Sequence, residues 1–193
     1  ALARLIQRDD KALQDLVNYI TINVTEFFRN PDRFEYLRDH VLPALAKETD
    51  ELRIWSAGCA TGEEAYTLAI LLAELGIHRA SILATDIDEN VLAVARRGTY
   101  SPERMDGVDA ARRARFFRRS TDGWWSVNSE VRRYVEFQRH DLLRDPYPGG
   151  MHLILCRNVV IYFTDAAKHR LYKGFAKSLV TGGYLLLGGT ESI

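Results

Sequence analysis

Two glycines and the acidic residues beside them have the types and spacing of a site for a nucleotide-like ligand. Gly58 and Gly62 follow the apolar run 52–57 and precede a helical pattern that begins at about Glu63. Strand, glycine turn and helix in this order place a ligand at the carboxyl ends of parallel strands. We expect Gly58 to permit the tight turn and Gly62 to let the helix start pack close to the ligand.

The residues around this turn favour a cationic ligand. Glu63 and Glu64 stand at the N-terminus of the predicted helix, where acidic side chains are favourable by ~0.3–1 kcal/mol in any case. A pyrophosphate would prefer bare backbone amides there, whereas two carboxylates suit the ammonium and sulfonium groups of S-adenosylmethionine. Asp86 lies about 24 positions after Gly62, near the spacing expected for a carboxylate that binds ribose hydroxyls. Asp88 is expected to cap the next helix.

The composition argues against several other kinds of function. The 193 residues carry 26 basic and 26 acidic side chains, so no charge excess favours nucleic acid. The two cysteines and five histidines lack metal-ligand spacing, which predicts no metal site and two reduced thiols. No apolar run reaches the ~20 residues that span a bilayer. We therefore expect a cytoplasmic, monomeric protein that is not embedded in a membrane.

Strands alternate with helical patterns along most of the chain, which predicts a mostly parallel α/β sheet with helices on both faces. The predicted strands are residues 52–57, 81–85, 133–138, 151–156 and 184–187. The predicted helices are residues 32–46, 64–75, 89–97 and 166–179. Pro43 is expected to bend the first of these helices or end its regular part.

The stretch 99–133 breaks this alternation. We expect it to form an inserted subdomain of one helix and a few short antiparallel strands, with a hairpin turn at 121–125. Its arginines have two open interpretations, a surface for an acidic partner or an ordinary solvated helix face. They are Arg104, Arg112, Arg113, Arg115, Arg118 and Arg119. Trp124 and Trp125 could likewise dock a partner strand or form a small core.

Polar residues also follow the apolar run 151–156. Arg157 and Asn158 fall where that strand would open onto the same crevice as the glycine turn. A simple turn is the alternative interpretation. Methyltransferases that act on amino nitrogens usually have a proline-rich box here, and its absence disfavours N-methylation.

Five segments together resemble the chemotaxis receptor glutamate methyltransferases of the CheR type. The resemblance covers about residues 15–193, in order. The segments are Asn23-Val-Thr-Glu-Phe-Phe-Arg29, Trp55-Ser-Ala-Gly-Cys-Ala-Thr-Gly-Glu-Glu-Ala-Tyr66, Ala84-Thr-Asp-Ile-Asp88, Cys156-Arg-Asn-Val-Val-Ile-Tyr-Phe163 and Gly189-Thr-Glu-Ser192.

This resemblance implies a class I S-adenosylmethionine-dependent methyltransferase with a Rossmann-like sheet and a small antiparallel β insertion. Residues 51–193 would form the methyltransferase domain, with the insertion at about 99–133, and residues 1–50 the remnant of a larger N-terminal helical domain. The implied reaction methylates glutamate side chains on the cytoplasmic helices of chemotaxis receptors, giving methyl esters for sensory adaptation and S-adenosylhomocysteine. Two alternatives stay open: a non-catalytic module that binds S-adenosylmethionine and a partner, and a related methyltransferase with another substrate.

The resemblance also implies which residues form the site. Arg29 and Tyr162 would face the incoming carboxylate as catalytic residues. The family usually has asparagine where this chain has Asp141. The implied cofactor-binding residues are Asn23, Thr25, Arg29, Gly58, Glu63, Glu64, Asp86, Asp141, Leu142, Arg157 and Asn158.

Overall fold

The computed structural model describes residues 25–189 and residue 191, and eight strands in this part of the chain form two sheets. The strands are β1 (Leu52–Ala57), β2 (Ala80–Asp86), β3 (Thr99–Tyr100), β4 (Phe117–Arg119), β5 (Trp125–Val127), β6 (Val135–Arg139), β7 (Met151–Cys156) and β8 (Leu179–Leu187). Five of them form a wholly parallel sheet in the order β6-β2-β1-β7-β8. The other three form an antiparallel sheet in the order β3-β5-β4. Both predictions, the parallel sheet and the antiparallel insertion, are confirmed.

Helices connect the parallel strands and the insertion. They are α1 (Pro31–Tyr36), α2 (Leu42–Glu48), α3 (Glu63–Glu74), α4 (Glu89–Arg97), α5 (Ala110–Phe116), α6 (Ser129–Arg132) and α7 (Asp165–Ser178). The predicted cap of α4 is confirmed, because Asp88 accepts from the Asn90 amide at 2.8 Å. Thr164 caps α7 and accepts from the Ala167 amide at 3.4 Å. Within the described residues, no helix combines the length and the apolar character needed to cross a bilayer.

The strand order locates the ligand crevice. The chain runs outward from β1 to β2 and then places β7 on the opposite side of β1. Ligands of open α/β sheets bind at the carboxyl ends of the strands where the direction of winding reverses in this way. The crevice of this protein therefore lies at the carboxyl ends of β1 and β7, where the glycine turn and Arg157 stand.

The predicted helix 32–46 is interrupted by a π-helical turn, Leu37–Val41. The Leu42 amide donates to the Leu37 carbonyl, five residues back, and Pro43, which has no amide hydrogen, follows directly. Pro43 lies in the first turn of α2, where its missing donor leaves no intrahelical bond unmade. The proline thus marks the restart of a regular helix.

Helix α3 is buried on almost all sides, with ten of its twelve residues inaccessible to solvent. The parallel sheet covers one side, and the insertion and the lead-in segment (residues 25–30) contact others. One example is the Phe28 amide, which donates to Thr67 Oγ1 at 3.1 Å. A helix that is apolar all round is expected where every face is packed. Its N-terminus, which carries Glu63 and Glu64, is consequently held in a fixed place.

Most of the insertion's arginines bind within the protein. Arg112 makes a two-pronged ion pair with Glu74 of α3 at 2.7 and 2.9 Å, and Arg115 pairs with Glu130 at 2.9 Å. Arg113 donates to the carbonyls of Val108 and Met105. The hairpin predicted at 121–125 is confirmed between β4 and β5. These contacts favour a structural role for much of the cluster over a free basic surface.

Candidate functional site

The turn after β1 is closed by hydrogen bonds to the neighbouring strand. The amides of Gly58 and Cys59 both donate to the Thr85 carbonyl at 2.8 Å. Gly58 has a φ of +83°, and a Cβ there would lie 2.4 Å from Val159 Cγ2. Both the backbone conformation and the close approach of the loop after β7 therefore require glycine, as predicted.

Gly62 has a packing role that was not expected from the sequence. Its φ is +93°, but a Cβ at this position would meet protein atoms: Ala95 Cβ at 2.9 Å, Phe137 Cζ at 3.2 Å and the Tyr100 hydroxyl at 3.2 Å. The approach of the helix start to the ligand stays a prediction. Gly62 lets that helix start pack against α4, β6 and the insertion.

The adjacent glutamates of the turn have separate sets of partners. The Glu63 side chain is completely buried, and its carboxylate accepts from Thr61 Oγ1 at 2.7 Å and from Arg104 of the insertion. The Glu64 carboxylate accepts from Ser56 Oγ at 2.7 Å and from Arg157 at 3.3 Å. Burial raises the pKa of each carboxyl above its ordinary value. Glu64 is grouped with the residues of β1 and β7, and Glu63 joins the turn to the insertion.

Asp86 closes the other side of the turn. Its carboxylate accepts from the amides of Ala60 at 2.9 Å and Asp88 at 3.0 Å, and its carbonyl accepts from the His140 amide at 2.9 Å. Burial raises the pKa of Asp86. The structure thus places this carboxylate between the glycine turn and the loop that begins at Asp141.

Arg157 connects the crevice to the lead-in segment. Its side chain is only 5% exposed, and its guanidinium donates to the Arg29 carbonyl at 2.9 Å, to Asn30 Oδ1 at 2.6 Å and to Glu64. The group expected to line a sulfonium pocket is therefore bonded to three protein acceptors. Its placement brings the Arg29 backbone to the same end of the sheet as Glu64.

The lead-in segment is held by aromatic packing as well. The Phe27 ring packs edge-on against Tyr100 at 4.9 Å and Phe117 at 5.4 Å. The Arg112 guanidinium lies 4.2 Å from the centre of the Phe28 ring. Elements of the insertion therefore fix the backbone that leads to Arg29.

The other predicted site residues that the structure describes lie in the loops after β6 and β7 and at the start of the lead-in segment. Asp141 accepts from the Leu143 amide at 2.8 Å, which makes a tight turn, and Leu142 packs in the apolar cluster beneath β7. Thr25 is half-buried, and Asn158 adopts a left-handed φ of +60°. Asn23 and the Tyr162 side chain lie outside the described parts of the protein.

Several contacts of the site were not identified from the sequence. Three of these contacts have no local signal in the sequence, because each joins residues that only the fold brings together. They are the hydrogen bonds of Ser56 to Glu64, of the Ala60 amide to Asp86 and of Arg104 to Glu63. Glu191 lies in the segment 189–192, and the sequence predicts no role for its side chain. Its carboxylate accepts from three backbone amides beside Arg157.

The acceptor groups of the crevice fit a ligand with two cationic groups and a ribose. Glu64 and Asp86 are acidic, largely buried and located on the two sides of the glycine turn. A carboxylate accepts hydrogen bonds from an ammonium group or from a diol. The chemistry of these two side chains therefore fits the groups that S-adenosylmethionine carries.

Comparison with known proteins identifies the family. The family model described as "CheR methyltransferase, SAM binding domain" matches residues 23–193. The "Chemotaxis protein methyltransferase" of Listeria innocua is 41% identical over 190 residues, covering 97% of this chain and 72% of that protein. The "Putative methyltransferase Cher3" of Pseudomonas putida is 36% identical over 201 residues, covering all of this chain and 73% of that protein.

A solved structure supports the fold. The structure titled "StiE O-MT residues 961-1257" aligns with a TM-score of 0.50 and 18% identity over 80% of this chain and 41% of that one. At this identity the likeness concerns the fold alone, which is that of class I methyltransferases. The family match agrees with the carboxyl-end crevice and its acidic side chains. This chain belongs to the CheR methyltransferase family and contains its S-adenosylmethionine-binding domain.

Proposed function

We propose that this protein methylates glutamate side chains on the cytoplasmic helices of chemotaxis receptors, with S-adenosylmethionine as methyl donor. Membership of the CheR family supports the methyl transfer, and the names of relatives such as the Listeria protein support the link to chemotaxis. The observation that carries the proposal is the bonding of Arg157, which joins Glu64 at the cofactor turn to the Arg29 backbone. This contact supports the proposal that the methyl donor and Arg29, the candidate carboxylate-binding arginine, act at the same end of the sheet.

The proposed chemistry needs orientation more than proton transfer. S-adenosylmethionine supplies a methyl group on a positive sulfur; a new carbon–oxygen bond forms as the carbon–sulfur bond breaks, leaving a glutamate methyl ester and S-adenosylhomocysteine. A glutamate has an ordinary pKa of about 4.3 and is already ionised at neutral pH, so no general base is needed. Holding the attacking oxygen in line supplies most of the rate gain.

Arg29 and Tyr162 are proposed to orient the incoming carboxylate. A guanidinium can hold one carboxylate oxygen by a charge-assisted bond and leave the other free to attack. Too strong a hold would reduce the nucleophilicity of the substrate. Arg29 is therefore expected to position the carboxylate rather than neutralise it.

The remaining site residues are proposed to hold the cofactor. Glu64 would bind the ammonium group, and Asp86 the ribose hydroxyls. Glu63 would act from behind the turn through its bonds to Thr61 and Arg104. The other proposed contacts are Asn23 and Thr25 from the lead-in side, Gly58 at the turn, Asp141 and Leu142 beside the adenine, and Arg157 and Asn158 near the sulfonium.

A domain division is part of the proposal. Residues 51–193 would form the methyltransferase domain with an insertion at about 99–133, and residues 1–50 would belong to an N-terminal helical part. The receptor is proposed to be a protein substrate that approaches the carboxyl-end crevice. The enzyme is expected to act as a cytoplasmic monomer.

The Asp86→Asn substitution is expected to weaken S-adenosylmethionine binding about tenfold. An amide keeps the size of the side chain but loses the charge of an acceptor whose hydrogen bonds are worth about 1.5–3 kcal/mol. Titration calorimetry measures the affinity directly. Asp88→Asn is the matched control, because the Asp88 side chain caps α4 and asparagine caps a helix about equally well. Equal affinities of Asp86→Asn and the wild type would refute the ribose assignment.

Methyl transfer is tested with labelled S-adenosylmethionine and receptor cytoplasmic fragments, using the full-length protein. We expect base-labile label on the receptor, released as methanol, and no label on a fragment whose glutamates are replaced by glutamine.

The Arg29→Ala variant is expected to lower kcat about 100-fold through misplacement of the carboxylate. Arg33→Ala, an exposed arginine on α1, is the control.

Three other outcomes would change the proposed function or remove one proposed role. Cofactor binding without transfer to any receptor fragment would favour a non-catalytic binding module. Label on a different protein or small molecule would indicate a related methyltransferase. Unchanged kcat in Arg29→Ala would remove the proposed role of that arginine and leave the reaction itself standing.

A further inference from the structure

The Glu191 carboxylate joins two segments of chain at the edge of the crevice. One oxygen accepts from the Val160 amide at 2.9 Å, and the other from the amides of Asn158 at 3.1 Å and Gly188 at 2.6 Å. Asn158 and Val160 belong to the loop after β7, whereas Gly188 directly follows β8. A single side chain thus fixes the carboxyl ends of two neighbouring strands.

The geometry around this carboxylate is tightly constrained. Asn158 has a left-handed φ of +60°, a conformation that few residues other than glycine and asparagine adopt readily. The amide bonds to Glu191 hold the loop in that conformation. A Cβ at Gly188 would lie 2.6 Å from the Glu191 carboxylate and 3.0 Å from the Asn158 amide nitrogen. Only glycine therefore lets the end of β8 approach this closely.

The loop that Glu191 holds carries Arg157. This arginine is bonded to Glu64 and to the Arg29 carbonyl, so the direction of its side chain sets how the lead-in segment meets the cofactor turn. A change in the loop backbone one residue later would move that guanidinium. The charge of Glu191 also reaches the crevice: burial raises the pKa of Glu64, and Glu191 acts in the same direction.

We propose that Glu191 is a positioning residue of the methyl-transfer site, which holds the loop after β7 so that Arg157 joins Glu64 to the Arg29 backbone. The inference rests on the proposed role of Arg157 at the cofactor. Its action is indirect: the carboxylate is bonded to backbone amides, and it sets the loop conformation instead of binding the ligand.

The test measures S-adenosylmethionine affinity by calorimetry in the full-length protein, so it does not depend on any receptor. Glu191→Gln retains the shape but turns an NH₂ group toward one of the three amides, and we expect affinity to fall about tenfold. Glu191→Asp keeps the charge but is one methylene shorter, and it should lose affinity as well. Glu136→Gln, at an exposed position of β6, is the control and should bind normally.

A double-variant cycle separates positioning from a general effect on stability. If Glu191 acts through Arg157, Glu191→Gln should add little to the affinity loss already caused by Arg157→Met. Full additivity, or a lower melting temperature with unchanged affinity, would make Glu191 a structural tether and overturn the inference. Wild-type affinity in Glu191→Asp combined with weak binding in Glu191→Gln would show that charge alone matters, which also overturns it. Normal affinity in Arg157→Met alone would refute the proposed role of Arg157 at the cofactor, and the inference with it.

Discussion

The Arg104→Met variant is expected to have a free energy of unfolding about 3 kcal/mol lower than the wild type at neutral pH. Glu63 is completely buried, and Arg104 is the cation that pairs with it. Methionine retains the apolar stem and leaves the carboxylate bonded to the Thr61 hydroxyl and to its own backbone amide, without a cation. A buried ion pair that loses one partner is destabilising because the other charge stays desolvated. Since Arg104 is itself 41% exposed, we place the loss at the lower end of the usual range.

The pH dependence of this loss has a definite sign. Burial raises the pKa of folded Glu63 above 4.5, because the buried site favours the protonated side chain. The contribution of Glu63 to stability is therefore complete below pH 4.5 and is lost as the pH rises through the folded pKa. Removal of Arg104 raises that folded pKa further. The difference between the variant and the wild type should therefore be small at acidic pH and grow to a plateau toward neutrality.

Urea unfolding at several pH values measures both effects. Glu63→Gln combined with Arg104→Met should restore much of the lost stability, because no buried charge remains. Arg118→Met, an exposed arginine of β4, should change stability by less than about 0.5 kcal/mol. A constant loss across pH, or no rescue in the double variant, would contradict the role of the Glu63 charge.

The Arg157→Met variant is expected to bind S-adenosylmethionine about 10- to 100-fold more weakly than the wild type. Its guanidinium bonds to Glu64, the Arg29 carbonyl and Asn30, and bonds to charged groups are worth about 1.5–3 kcal/mol each. Without it, Glu64 retains Ser56 as partner and the lead-in segment loses its tie to the crevice. Calorimetry gives the affinity, and Arg139→Met at an exposed position of β6 is the control.

A second measurement identifies the cause of the weaker binding. Arg157→Lys keeps the positive charge but cannot present a planar fork to several acceptors at once. We expect it to bind almost as weakly as Arg157→Met. Wild-type affinity in the lysine variant would mean that only the charge near Glu64 matters, and the tie to Arg29 would then have no role in binding.

Local patterns of the sequence determined most of the parallel sheet. The predicted strands 52–57 and 151–156 and the predicted helix 89–97 agree with the structure in both bounds. Each is encoded by its own apolar residues and by neighbours such as Asp88 and Gly98, so no distant contact is needed to define it. The position of the crevice followed from the same information, because parallel strands bring their carboxyl ends to one edge.

The pairing of charges in the site depends on the tertiary structure. Glu63 and Glu64 are identical in type and adjacent, but consecutive helical residues point about 100° apart, so one meets Arg104 and the other Arg157. Gly62 proved to serve packing, since residues from α4, β6 and the insertion converge on it. The sequence predicted a cofactor turn with acidic residues. Which partner each of them has, and the three amides bound by Glu191, depend on contacts between distant segments that only packing brings together.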